Sequence, residues 1–260
     1  MSYVKLLNDM TWSFSRLHAY EHCPYSFYLR YIEERSGESN YYAENGKCMH
    51  ETFEALFNRK IEIESCPQFY SDRYDMICEM TKKSTMDSTF EKCIDYLCEV
   101  EDLDETKYEI LGVEIKLDFK VGKYKFVGYA DLVVRNRDSG EVILVDHKQA
   151  GHFFKKDGTP LKNQEDNLFA YKHQAYLYCK GLKDCFGINV DKIVWHHFKD
   201  SGQITKIPFN VEEFDETMQW AVNTIEKIKQ DKSFESNKTY IMCNCLCDFR
   251  NDCEYKNDEE

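Results

Sequence analysis

The sequence predicts an α/β fold of the α+β kind: a mixed, mostly antiparallel central sheet flanked by helices, with an N-terminal helical region and a cysteine cluster near the C-terminus. Three observations carry that expectation. Up to residue 107 the apolar residues recur at helical spacing. At Tyr108 the texture changes to three runs rich in β-branched and aromatic residues, separated by short turn signals. After residue 163 helical spacing returns twice, on either side of two further strand-like runs.

Residues 13–22 begin with a Ser suited to a helix cap, and Pro24 then opens a second helical stretch. Residues 44–60 place Met49, Phe53, Leu56 and Phe57 on one face, an amphipathic pattern, and residues 70–101 are again helical in character and acidic. Strands are expected over 108–121, 123–136 and 141–149, joined by turns at Val121-Gly122-Lys123 and Asp138-Ser139-Gly140, so these three should form an antiparallel meander. A Lys-rich loop, His152 to Lys162, leads into a helix over 164–181. Strands over 192–199 and 203–209 surround a Ser201-Gly202 turn, and a last helix covers 212–230. The whole chain, 1–260, is expected to be one domain, with a helical insert at 44–107, a sheet core at 108–209, and a small subdomain made of Cys23 and 243–253.

With 42% hydrophobic and 15% aromatic residues the chain can bury a sizeable core, and 11 Gly and 4 Pro exclude collagen-like or linker-rich proteins. No run approaches the ~18 apolar residues of a membrane span, and the first residues lack a signal peptide's apolar stretch. A cytoplasmic protein without a membrane partner is expected. The net charge of −13 argues against a generic nucleic-acid coat if the charge is evenly spread, but it is not. Residues 62–109 hold fourteen acidic and five basic residues, whereas 147–162 hold four Lys against one Asp. Lys155 and Lys156, interleaved with Phe153 and Phe154, suit a phosphate backbone and unpaired bases, though a solvated loop reads the same way.

The chemistry concentrates on two strands. Residues i and i+2 of a strand share a face, so Asp146 and Lys148 project together while His147 points away. If Asp131 lies on the same face of the neighbouring strand, two carboxylates and an ammonium converge. Such oxygen donors suit Mg²⁺ or Mn²⁺, and the lysine can orient a water or stabilise developing charge. Two further motifs accompany them: Gly46 and His50 in a G-x-x-x-H, and Gln174 and Tyr178 in a Q-x-x-x-Y, one helical turn apart.

Taken in order, these motifs resemble the RecB-like branch of the PD-(D/E)XK nuclease superfamily, including its iron–sulfur exonucleases of the CRISPR-adaptation, AddB and phage types. The resemblance spans about Cys23 to Cys253 and implies a restriction-endonuclease-like core. It implies that His50, Asp131 and Asp146 are metal ligands, with the carbonyl of His147 a fourth and Glu114 a further acidic neighbour. Lys148 would be the catalytic lysine, and Gln174 and Tyr178 would face the site. The implied activity is metal-dependent hydrolysis of DNA, single-stranded or end-containing, in phage or bacterial replication, recombination or repair, with a recombination or replication protein as a possible partner. A non-catalytic nucleic-acid-binding subunit of the same fold is the alternative. The chain departs from the pattern at His147, where an aromatic is common, and at Gln149-Ala150-Gly151, where a small hydroxyl residue and Gly are usual.

Of twelve cysteines, eight are scattered, and Cys243, Cys245, Cys247 and Cys253 fall within eleven residues. Without an export signal these read as thiols or metal ligands rather than a disulfide framework. The resemblance implies a [4Fe–4S] cluster held by Cys23, Cys247, Cys253 and one of Cys243 or Cys245, since the expected x2 spacing falls on Asn244. Four soft ligands also suit tetrahedral Zn²⁺.

Overall fold

The computed structural model describes residues 3–78, 88–155, 158–237, 239 and 242–255. Among these residues eight helices surround one sheet. They are α1 (Tyr3–Asp9), α2 (Phe14–His22), α3 (Pro24–Tyr31), α4 (Tyr41–Phe57), α5 (Cys66–Cys78), α6 (Thr89–Glu99), α7 (Glu165–Phe186) and α8 (Val211–Gln230). The strands are β1 (Tyr108–Val121), β2 (Tyr124–Asn136), β3 (Val142–Lys148), β4 (Lys192–His197) and β5 (Gln203–Pro208).

Local chemistry sets the helix ends. The Ser13 side chain accepts the amide of Arg16 at the start of α2, and Pro24, lacking an amide hydrogen, separates α2 from α3. Asn40 caps α4 by accepting from the Ala43 amide at 3.0 Å, and Asn210 caps α8 by accepting from Glu212 and Glu213. The helix after the sheet runs five residues beyond the expected Gly181, to Phe186, and stops at left-handed Gly187. The acidic stretch 70–101 resolves into α5 and α6, with residues 79–87 outside the described residues.

The sheet order is β1-β2-β3-β4-β5. β1, β2 and β3 form the expected antiparallel meander, and β4 pairs antiparallel with β5. The β3–β4 pair is parallel because α7 carries the chain back across the sheet. The fourth strand ends at His197 rather than Lys199, where Phe198–Asp200 tighten into a 3-10 turn.

Both faces of the sheet are covered. On one, Trp12, Phe27, Phe126, Leu144, Tyr176, Trp195 and Ile225 join α2, α3, α7 and α8 to the strands. On the other, Met49, Phe53, Tyr70, Tyr74, Leu97 and Phe198 unite α4, α5 and α6. Each fully buried aromatic of this kind contributes about 2–3 kcal/mol from water exclusion. No helix among the described residues is long and apolar enough to cross a membrane.

The two ends of the chain meet. The Phe234 ring packs against Tyr20, Phe27 and Tyr28, the Glu38 amide donates to the Asp248 carbonyl at 2.8 Å, and Arg30 pairs with Asp248.

Candidate active site

The strand register places three carboxylates in one row across the sheet. Leu132 pairs with Val145 and Val113 with Leu132, so Glu114, Asp131 and Asp146 occupy the next position on β1, β2 and β3. The ladder is distorted there. Glu114 has a left-handed φ of 48°, a backbone that costs a non-glycine residue about 1–3 kcal/mol, and the His147 amide donates to Asp131 Oδ2 at 2.8 Å. Helix α4 then brings His50 over the row. Its Nδ1 is 3.4 Å from Asp131 Oδ2 and 3.9 Å from Glu114 Oε1.

The second half of the site is built around Lys148. Its ammonium lies 2.9 Å from Asp146 Oδ1 and 2.8 Å from Oδ2, donates to Gln174 Oε1 at 2.7 Å, and sits 4.6 Å from the centre of the Tyr171 ring. The Gln174 amide donates in turn to the Tyr178 hydroxyl at 2.9 Å. Tyr178 can reach this place because its ring crosses Gly128, where a Cβ would lie only 2.7 Å from its Cε1. Helix α7 thus holds the lysine from three positions, Tyr171, Gln174 and Tyr178, on one face.

Burial governs the charges. Asp146 is 2% exposed, and burial together with neighbouring Asp131 pushes its carboxyl up to about 6 against the opposing pull of Lys148. Burial disfavours the Lys148 ammonium, but Asp146, Tyr171 and Asp131 outweigh it and hold its pKa above the ordinary lysine range. At His50 burial is likewise overcome by Asp131 and Glu114, which raise its pKa. The donor set fits a hard divalent cation. His50, Glu114 and Asp131 each offer one atom within 4.8 Å of the others.

The His147 imidazole points to the opposite face, as the two-residue strand period requires. It stacks on Phe53 and meets His196 at 2.8 Å between Nδ1 atoms, and burial holds it neutral. Its place in the metal-ligand expectation therefore rests on its carbonyl alone. Two residues of the site were not singled out from the sequence: Tyr171, whose signal is its i, i+3 spacing from Gln174, and His196, which only the parallel β3–β4 pairing brings beside His147.

One expectation is corrected. Phe153 is fully buried, packed on Tyr171, Trp195 and His197, so it is a core residue rather than a platform for a base. The first aromatic after the sheet is drawn inward by the apolar face it leaves. Lys155 is exposed, and Lys156 lies outside the described residues.

The cysteines form a second constellation. Cys23, Cys243, Cys247 and Cys253 line one cavity of ≈ 190 Å³ where the chain ends meet. All four thiols are free. Burial pushes the Cys253 thiol up, and Cys247, Cys23 and Cys243 add to the effect. Among the described residues no three of these sulfurs lie within 4.8 Å of one another. The Cys245 side chain lies outside the described residues.

The family model of the PD-(D/E)XK nuclease superfamily matches residues 11–257. The chain belongs to the PD-(D/E)XK nuclease superfamily. Its five-stranded mixed sheet between helices is the restriction-endonuclease-like fold of that superfamily, whose nucleases typically use divalent metals. No curated protein matches the sequence. Among solved structures, an Eubacterium rectale protein provisionally assigned as an exonuclease superimposes with a TM-score of 0.51 at 13% identity, over 85% of this chain and 82% of that one. The crystal structure of SSO0001 aligns at a TM-score of 0.28 and 20% identity, over 57% of this chain and 61% of that one, too weakly to inform the argument. For a PD-(D/E)XK nuclease the row of acids, the buried lysine and the histidine over the row are the parts that bear on chemistry.

Proposed function

We propose that this protein is a metal-dependent DNA exonuclease acting on single-stranded DNA or DNA ends, with a [4Fe–4S] cluster tying its two chain termini together. The observation that carries the nuclease reading is the convergence of Glu114, Asp131, Asp146 and His50 on one side of a buried, fully charged Lys148. The exonuclease part rests on the sequence resemblance and on the assignment of the Eubacterium rectale neighbour.

His50, Glu114, Asp131 and Asp146 would hold Mg²⁺ or Mn²⁺, which when bound polarises a phosphoryl oxygen and makes water a better nucleophile. The protein's own groups do the positioning. Lys148, fixed by Gln174, which Tyr178 holds in turn, keeps its ammonium beside Asp146, where its charge can orient the attacking water or stabilise charge growing on the phosphate. Asp146 competes for the same ammonium and keeps it protonated. Tyr171 shields the pair from bulk water, which strengthens each of these contacts.

The cluster reading is supported by the convergence of Cys23, Cys243, Cys247 and Cys253 on one cavity, together with the sequence resemblance. The same four soft donors also suit tetrahedral Zn²⁺.

The test uses end-labelled linear single strands, linear duplex and covalently closed circular DNA, incubated with anaerobically purified protein and Mn²⁺. The linear molecules are expected to shorten from their ends, the closed circle to survive, and EDTA to stop the reaction. Cleavage of the closed circle at the same rate would overturn the exonuclease assignment.

A further inference from the structure

Beyond the metal-ligand row, the carboxyl ends of the parallel strands β3 and β4 open onto a separate recess of ≈ 480 Å³. Strand β3 ends at Lys148, so the recess begins at the very next residue, Gln149. Ligands of sheets with parallel strands favour this location, because loops diverge there and leave a crevice.

Its lining is cationic and rich in donors. Lys92 reaches it from α6, Lys199 from the turn after β4, and Gln149, His152, Asn163 and Gln164 from the segment after β3. Neither Lys92 nor Lys199 has an ion-pair partner among the described residues; the Lys199 ammonium lies over the Tyr42 ring at 5.1 Å. The one acid in the lining, Asp200, is already engaged by His152, through Nδ1 at 2.5 Å and through the backbone amide at 3.2 Å. Two lysines against one carboxylate leave the recess net positive.

A further observation points to a ligand. Both polar atoms of the Gln149 side chain are buried and lack any hydrogen-bond partner, a cost of about 1–3 kcal/mol for each group that protein or ligand normally relieves. Gly151 bounds the recess: a Cβ there would sit in van der Waals contact, 4.0 Å from both Asp200 Oδ2 and Gln164 Nε2, so a branched side chain would intrude on the space. Gly151 does not have a left-handed backbone, so a side chain there would be limited by space rather than by chain conformation.

We infer that this recess binds a backbone phosphodiester of the nucleotide flanking the scissile bond, with Lys92 and Lys199 supplying charge and the Gln149 amide a hydrogen bond. The inference rests on the nuclease reading above, since it takes the strand that ends in Lys148 to run alongside the nucleic acid. It adds a substrate-holding site that contains none of the metal ligands.

Binding of fluorescein-labelled 20-nucleotide single strands, with and without a 5′ phosphate, tests this by anisotropy between 50 and 250 mM salt, with Ca²⁺ present so that the outcome does not depend on turnover. Lys92→Ala and Lys199→Ala are each expected to weaken binding about 5- to 20-fold and to flatten the salt dependence by about 0.7 for each phosphate no longer neutralised, equally for both oligonucleotides. Gly151→Val should weaken binding comparably by filling the recess, and its salt dependence should be shallower too. Mn²⁺ affinity and Tm, measured alongside, should remain those of the wild type. Unchanged binding and slope in all three variants would overturn the inference, and so would an effect confined to the 5′-phosphorylated strand, which would make the recess a terminal-phosphate pocket. If the wild type binds DNA through these residues yet never cleaves it, the recess stands and the proposed reaction fails.

Discussion

Replacing Lys148 by alanine is expected to slow Mn²⁺-supported DNA cleavage by about 10²–10³-fold, as when a preorganised donor to a reacting oxygen is removed. The loss follows from geometry. Lys148 is the only ammonium among the described residues in contact with the acidic row, it is fixed by Asp146 and Gln174, and no neighbouring side chain can take its place. Folding should survive, because Asp146 is already raised by burial and takes up a proton once its counter-charge is gone. Near-ultraviolet circular dichroism and single-turnover cleavage measured on the same sample check both statements. Cleavage at the wild-type rate in the folded variant would defeat the role assigned to the lysine.

The second large effect is expected at the thiol cavity. Wild-type protein purified without oxygen should be brown, and Cys253→Ser should lose the colour together with several kcal/mol of stability, a fall in Tm on the order of 10 °C. The size of the effect comes from what the cavity joins. Cys23 sits at the break between α2 and α3, while Cys243, Cys247 and Cys253 lie on the returning C-terminal segment, which is also held by buried Phe249 under Arg30 and by contacts such as Arg30 with Asp248 and Tyr25 with Glu254. Exposed Cys98 provides the control, since Cys98→Ser should leave colour and Tm unchanged. A colourless wild type containing one equivalent of zinc would replace the cluster with a zinc site.

Much of this architecture is legible in the sequence because its causes are local. The three strands of the meander alternate or run apolar between short turns, and the two-residue period of a strand places Asp146 and Lys148 on one face and His147 on the other. The helix turn that pairs Gln174 with Tyr178 is equally local. What sequence could not supply is register and direction between distant segments. By residue type Glu114 reads equally as an exposed strand residue or, through the resemblance, as an acid near the metal; the β1–β2 register puts it beside Asp131, and its left-handed backbone has no sequence signal. Phe153 illustrates the converse. An aromatic beside lysines in a loop looks the same whether it faces solvent or the core, and only the packing of Tyr171, Trp195 and His197 decides that it faces inward. The recess after β3 was invisible for the same reason, because Lys92, Gln149 and Lys199 come from three segments far apart in the chain.

The central claim is that the row of acids with His50 is a divalent-metal site, and calorimetric titration of Mn²⁺ into DNA-free protein tests it most directly. Binding to the wild type is expected to be saturable, with the affinity falling at least 10-fold in Asp131→Asn, because Asp131 contacts His50 and lies between Glu114 and Asp146 in the row. Equal Mn²⁺ affinity in the wild type and Asp131→Asn would contradict the account.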